Sequence, residues 1–70
     1  MYDFEILENV ADIGKSGKAL KVVRWGERAA KLDLRTWRQD GEALKPGKGM
    51  TLTEEEAKEL AEALQEYLAS

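Results

Sequence analysis

The sequence predicts an α+β domain in which four strands are followed by one helix. Up to residue 52, short segments of alternating apolar and polar residues are separated by glycine-containing turns, and a period of two is typical of strands. From residue 54 onward, apolar residues recur at helical spacing instead. A chain of 70 residues forms one domain at most, so we interpret residues 1–70 as a single domain.

Three strand-like segments come first. Tyr2, Phe4 and Ile6 alternate with acidic residues at the N-terminus, and residues 19–25 and 31–38 are two further strand-like runs. The segment between the first two runs, residues 9–18, is open to interpretation. One reading is the bent end of the first strand followed by a glycine loop at Gly14 and Gly17.

Turn signals place the remaining boundaries. Residues 26–30 join the second and third strands, and Asp40-Gly41 predicts the next turn. Residues 46–49, with the sequence PGKG, predict a second loop. A short last strand is then predicted at residues 49–52.

The C-terminal helix has the clearest signals. Thr53 is a typical N-cap residue, and Glu56 three positions later completes a capping box. Glutamates in the first turn also favour the positive end of the helix dipole. The sequence therefore predicts a helix over Glu54–Ala69 whose apolar stripe faces the sheet, a partner helix, or both. The stripe consists of Ala57, Leu60, Ala61, Leu64 and Leu68.

Composition excludes several classes of function. The chain has no cysteine and no histidine, which removes disulfides, thiolate chemistry and the commonest general base and metal ligand. The sequence therefore predicts no catalytic residue, no metal, no cofactor and no small-molecule substrate. Nothing resembles a signal peptide, and no apolar run is long enough to span a bilayer. We expect a soluble cytoplasmic protein, nucleoid-associated if bacterial, with dimerisation as the source of extra stability in so short a chain.

Charge is divided unevenly along the chain. Residues 14–52 contain ten basic and four acidic residues, a net charge of +6. Residues 53–70 contain six glutamates and one lysine, a net charge of −5, and residues 1–13 contain four acidic residues and no basic one. The overall charge of −3 therefore hides a basic middle segment, whose local field favours association with phosphates.

Pairing the second and third strands as a hairpin separates two faces. With Trp25 opposite Lys31, alternation places Leu20, Val22, Leu32 and Leu34 on one face, and Lys21, Val23, Trp25, Lys31, Asp33, Arg35 and Trp37 on the other. The first face is predicted to be a core covered by the helix. The second is predicted to be open, because nothing is left in the chain to cover it. A register shift of one residue would destroy this division.

An open face with aromatic rings and cations suits single-stranded nucleic acid, whose bases stack and whose phosphates need positive partners. Trp25 and Trp37 would lie about 20 Å apart along the hairpin. The lysines at 15 and 18 would lie on the first glycine loop and those at 45 and 48 on the second. The predicted nucleic-acid-binding residues are Lys15, Lys18, Lys21, Trp25, Arg28, Lys31, Arg35, Trp37, Lys45 and Lys48.

Other interpretations of the same residues stay open. Either tryptophan could be a core residue, and Arg35 could simply pair with Asp33 or a glutamate. The face could also bind a protein, because Trp and Arg dominate protein–protein hot spots. Pairs of carboxylates elsewhere have no neighbouring histidine or cysteine, which argues against an enzyme.

Two runs of sequence resemble a known family. Residues 31–37 (KLDLRTW) and 45–55 (KPGKGMTLTEE) look like the single-stranded-DNA-binding domain of the transcriptional positive cofactor 4 (PC4) family. The spacing of Trp25 and Trp37 is similar to that of its small bacterial branch, of YdbC type. Residues 12–15 (DIGK) are similar to the first-strand segment of the eukaryotic members.

This resemblance implies a curved four-stranded antiparallel sheet followed by one C-terminal helix (ββββα), in a homodimer with the helices at the interface. The two sheets would form a continuous concave surface for single-stranded DNA, with RNA as the alternative ligand, in transcription, replication or repair. Trp25 and Trp37 match aromatic stacking positions, Arg35 a contact to the nucleic-acid backbone, and Lys45 and Lys48 basic loop positions. Lys15 and Arg28 match more loosely. The expected dimer contacts are Leu60, Leu64, Tyr67 and Leu68.

Overall fold

The structure, a computed structural model, describes residues 3–70. It contains strands β1 (Phe4–Ile13), β2 (Lys18–Trp25), β3 (Lys31–Asp40) and β4 (Ala43–Leu52), followed by helix α1 (Glu54–Ala69). The strands form one antiparallel sheet in the order β1-β2-β3-β4. The predicted ββββα architecture is confirmed; Tyr2, the first residue of the predicted alternation, lies outside the described residues.

Helix α1 has the predicted bounds and the predicted capping box. The Thr53 hydroxyl accepts a hydrogen bond from the Glu56 amide at 3.1 Å, and the Glu56 carboxylate accepts one from the Thr53 amide at 2.8 Å. Two backbone donors that the helix cannot satisfy internally are thereby paired. Within residues 3–70, no helix is long and apolar enough to cross a membrane.

Residues 9–18, whose structure the sequence did not decide, adopt the interpretation given above. Strand β1 continues to Ile13 and a turn covers residues 14–17, with Gly14 and Gly17 at φ of 74° and 87°. The pairing of β1 with β2 contains two register shifts, each with an extra residue on β1. Such bulges bend a strand and interrupt its alternation, which explains why the sequence pattern of β1 fades after Ile6.

The loop predicted at residues 46–49 is wrong, because these residues lie within strand β4. Strand β4 is an edge strand, where proline is tolerated, and its pairing with β3 shifts register at this point. A Cβ on Gly47 or Gly49 would collide with Thr36 or Arg35 respectively. The glycines therefore allow close passage along β3, and Lys45 and Lys48 lie on a strand.

The hairpin of β2 and β3 pairs Val23, not Trp25, with Lys31. This register differs by two residues from the prediction, and a shift of two keeps every side chain on its predicted face. We call the two sides the tryptophan face and the leucine face. The tryptophan face carries Ala19, Lys21, Val23, Trp25, Lys31, Asp33, Arg35 and Trp37; the leucine face carries Leu20, Val22, Leu32, Leu34 and, from β4, Leu52.

The prediction that the tryptophan face is open is wrong. Its Ala19, Val23 and Trp37 form the buried core cluster, and the partly buried apolar residues packed against it are Phe4, Ile6, Trp25 and Leu44. Phe4 pairs directly with Trp25 across β1 and β2, so the first strand supplies a ring to this side. The side chains that cover this face therefore come from both edge strands, Phe4 and Ile6 from β1 and Leu44 from β4.

Helix α1 lies over the leucine face, as predicted, but the prediction that this face forms the core is wrong, because Leu20, Val22, Leu32 and Leu34 are only partly buried and the buried cluster lies on the tryptophan face. An apolar groove of about 240 Å³ separates the two, lined by Leu20, Leu32, Leu52, Ala57, Leu60, Ala61 and Leu64. No residue of the helix is buried, although Leu52 at its base is. The apolar stripe of the helix is thus only partly covered within one chain.

Candidate nucleic-acid interface

Three aromatic rings converge on the tryptophan face. The ring centroids of Trp25 and Trp37 lie 6.4 Å apart with an interplanar angle of 11°, and Phe4 lies 5.5 Å from the first and 5.4 Å from the second. The predicted separation of about 20 Å is therefore wrong for the rings. The two rings, attached to β2 and β3, nevertheless meet on this face. The register shifts in the pairings of both edge strands are of the kind that bends strands.

The two tryptophans differ in accessibility. Trp37 is 8% exposed and belongs to the core cluster, whereas Trp25 is half-buried. The Trp37 Nε1 is buried and donates to no group among residues 3–70. In this arrangement Trp25 offers more ring surface to a base than Trp37 does.

Arg35 is held by its neighbours on the same face. Its Nε donates to Asp33 Oδ1 at 2.5 Å, its Nη1 donates to the carbonyl of Gly47 at 3.2 Å, and its Cζ lies 4.7 Å from the Trp25 ring centroid. The ion pair with Asp33 was one of the alternatives that the sequence left open. The side chain of Arg35 is nevertheless 16% exposed, so part of it reaches the surface.

Two predicted phosphate ligands are also engaged within the chain. Lys21 is buried, donates to Asn9 Oδ1, and has its Nζ 5.6 Å from the Trp37 ring centroid. Lys45 pairs with Asp40 at 2.7 Å on the β3–β4 hairpin. The partly buried contact to Asn9 fixes Lys21 more firmly than the exposed pair fixes Lys45, because exposed pairs contribute little.

The other predicted cations are exposed, and none of them forms an ion pair within the part of the chain that the structure describes. Lys15 lies in the β1–β2 turn, Lys18 at the start of β2, Arg28 in the β2–β3 connection and Lys31 at the start of β3. Lys48 lines a small cleft together with Lys18, Leu34 and Met50, so it lies towards the leucine face, in the same cleft as Lys18. These five cations are Lys15, Lys18, Arg28, Lys31 and Lys48, and we call them the free cations.

Two clefts meet at Trp37 near the β1–β2 turn. One, of about 370 Å³, is lined by Lys15, Lys18 and Lys21 together with Trp37. The other, of about 430 Å³, is lined by Ser16, Thr36, Trp37, Arg38 and Lys45. Arg38 was not among the predicted site residues, although it is one of the ten basic residues of the middle segment. The signal in the sequence that could have identified Arg38 as a site residue is its position directly after Trp37.

The geometry thus combines rings with cations in the basic segment, and a comparison with models of protein families matches the same segment. The model described as "Transcriptional Coactivator p15 (PC4)" matches residues 14–63. A search of curated proteins finds no match. The narrower resemblance to the small bacterial branch stays a prediction. Because the match spans well over half of the chain, the protein belongs to the PC4 family, a non-enzymatic domain family known for single-stranded-DNA binding and transcriptional coactivation.

Proposed function

We propose that this protein is a non-catalytic homodimer that binds single-stranded DNA with little sequence preference, in transcription, replication or repair. The observation that carries the proposal is the family match over residues 14–63, which includes the whole segment of charge +6 and both tryptophans. Phosphates would be bound by cations around the tryptophan face, and a base would stack on Trp25. Sequence tolerance follows from this, because stacking and phosphate contacts do not depend on base identity.

The free cations support a path for the strand. Lys15 and Lys18 lie near the β1–β2 turn, while Arg28 and Lys31 lie at the other end of the β2–β3 hairpin. The aromatic rings lie between these two groups on the tryptophan face. A strand crossing the face would therefore meet cations at both ends and an aromatic surface between them.

The exposed apolar surface of α1 supports the homodimer. Leu60 and Leu64 are 37% and 50% exposed, and Tyr67 and Leu68 are each 76% exposed. A surface of this kind on a small domain is typical of an interface. Pairing with the same surface of a second copy would bury these residues. It would also extend the apolar groove between α1 and the leucine face, which one chain covers only in part.

The first experiment is a titration of the protein with a mixed-sequence single-stranded oligonucleotide, following tryptophan fluorescence at several salt concentrations. We expect quenching that weakens as salt rises, because each phosphate contact contributes a slope of about −0.7 in log K against log salt on single strands. Replacing Lys15 and Lys18 by alanine should reduce the slope by about 1.4. Lys58→Ala is the matched control, because Lys58 lies on α1 outside the basic segment.

A folded, dimeric protein that shows neither quenching nor binding at low salt would overturn the proposal. Competition with RNA of the same sequence decides between the two nucleic acids. If RNA displaces DNA at equal concentration, the preference for DNA is wrong while the binding face stands.

A further inference from the structure

A carboxylate is fully buried beneath the proposed phosphate-binding face. Asp33 is 0% exposed, and both of its oxygens are engaged. Oδ1 accepts from Arg35 Nε at 2.5 Å, and Oδ2 accepts from Trp25 Nε1 at 3.3 Å. One acidic side chain therefore holds a cation and a ring that are both predicted to contact nucleic acid.

These contacts orient the Arg35 side chain but engage only some of its N–H donors. Two of its N–H groups are engaged, one by Asp33 and one by the Gly47 carbonyl. A guanidinium carries five N–H donors in a fixed planar arrangement, so three remain. Since the guanidinium also lies 4.7 Å from the Trp25 ring centroid, the cation and the ring form one unit fixed from below.

We propose that Asp33 is a positioning residue of the nucleic-acid interface. It does not touch the strand; it fixes the Arg35 fork and the Trp25 ring together, so that a phosphate and the neighbouring base are bound by a preformed pair. This inference rests on the proposed function and adds the residue that orients the site.

Charge alone predicts the opposite effect of the same residue. A buried negative charge next to Arg35 weakens the local positive field, so Asp33→Asn, which removes one negative charge, would strengthen phosphate binding if only charge mattered. If Asp33 acts by orienting its partners, the same substitution weakens binding. The direction of the change therefore separates the two accounts.

The test measures the affinity of Asp33→Asn, Arg35→Gln and the double variant for one mixed-sequence oligonucleotide at fixed salt, with folding monitored by circular dichroism. We expect Asp33→Asn to weaken binding roughly tenfold, the scale of one hydrogen bond to a charged group. In the Arg35→Gln background it should cause a smaller loss, because only the contact of Asp33 with Trp25 Nε1 is left to disturb. Tighter binding with a steeper salt dependence would overturn the proposal, as would an equal loss in both backgrounds, since that result points to the fold.

Arg35→Lys provides a second variant in case Asp33→Asn fails to fold. It keeps the charge and a donor for Asp33 but lacks the planar fork. We expect the same roughly tenfold loss with tryptophan quenching reduced, and unchanged binding would refute the orienting role. If the unaltered protein does not bind the oligonucleotide, the proposed function itself fails, which is a different result.

Discussion

Trp37 has two roles under consideration, one in the core and one in binding nucleic acid, and its replacement by alanine tests which role dominates. The residue is 8% exposed and packs against Phe4 and Trp25. A buried Trp ring removes about 200 Å² from water, which corresponds to about 5 kcal/mol, and substitutions of buried aromatic residues by alanine cost about 3–5 kcal/mol. Because small domains have a total stability of about 5–15 kcal/mol, Trp37→Ala should remove a large fraction of that stability and shift unfolding to a much lower urea concentration.

The assay is urea unfolding followed by circular dichroism, since the substitution removes a fluorophore. Trp37→Phe is the matched control. It keeps a ring in the cluster and removes the Nε1 donor that has no partner within residues 3–70, so it should lose much less stability and retain DNA binding. A loss below about 0.5 kcal/mol for Trp37→Ala, within the range of ordinary surface substitutions, would refute the core assignment and favour a mobile stacking platform.

Two further substitutions test the helix. Leu64→Glu places a charge in the exposed apolar stripe of α1 and should convert the proposed dimer to a monomer, measured by light scattering coupled to size-exclusion chromatography. The control Glu62→Gln, on the same helix, should stay dimeric. Dimers that persist in Leu64→Glu would place the interface elsewhere. Thr53→Ala removes the N-cap hydroxyl that accepts from the Glu56 amide and should lower the free energy of unfolding by about 1 kcal/mol in urea titration, whereas Thr53→Ser should be close to neutral.

Local sequence patterns were sufficient to predict the elements whose causes are local. The capping box at Thr53 and the stripe beginning at Ala57 fixed the helix Glu54–Ala69, because both signals act within a few residues. The predicted division of the hairpin into two faces is also correct, although the predicted register is wrong. The true pairing of Val23 with Lys31 differs from the predicted one by two residues, and side-chain alternation has the same period.

The features that were missed depend on the sheet as a whole. Bulges on β1 and β4 have no reliable signature in a single sequence, and neither does the approach of Trp25 to Trp37. Turn residues at Pro46 and Gly47 usually indicate a loop, but on a bulged edge strand they serve the pairing with β3. Alternation assigns side chains to two faces but does not show which face the sheet buries, so the core face could not be decided from alternation alone.

Counting cations in the sequence overestimates the charge available to a ligand, because folding assigns some of them to internal partners. Eight of the predicted contact residues are cations, and eight phosphate contacts would give a salt slope of about −5.6 per protomer. Lys21 is held by Asn9 and Lys45 by Asp40, whereas Arg35 is proposed to contact a phosphate through the N–H donors that Asp33 and Gly47 do not engage. The five free cations and Arg35 then give a slope of about −4.2. A measured slope near the smaller value would mean that those internal contacts persist in the complex. A slope near the larger value would mean that the strand displaces Asn9 and Asp40, so that the face rearranges when it binds.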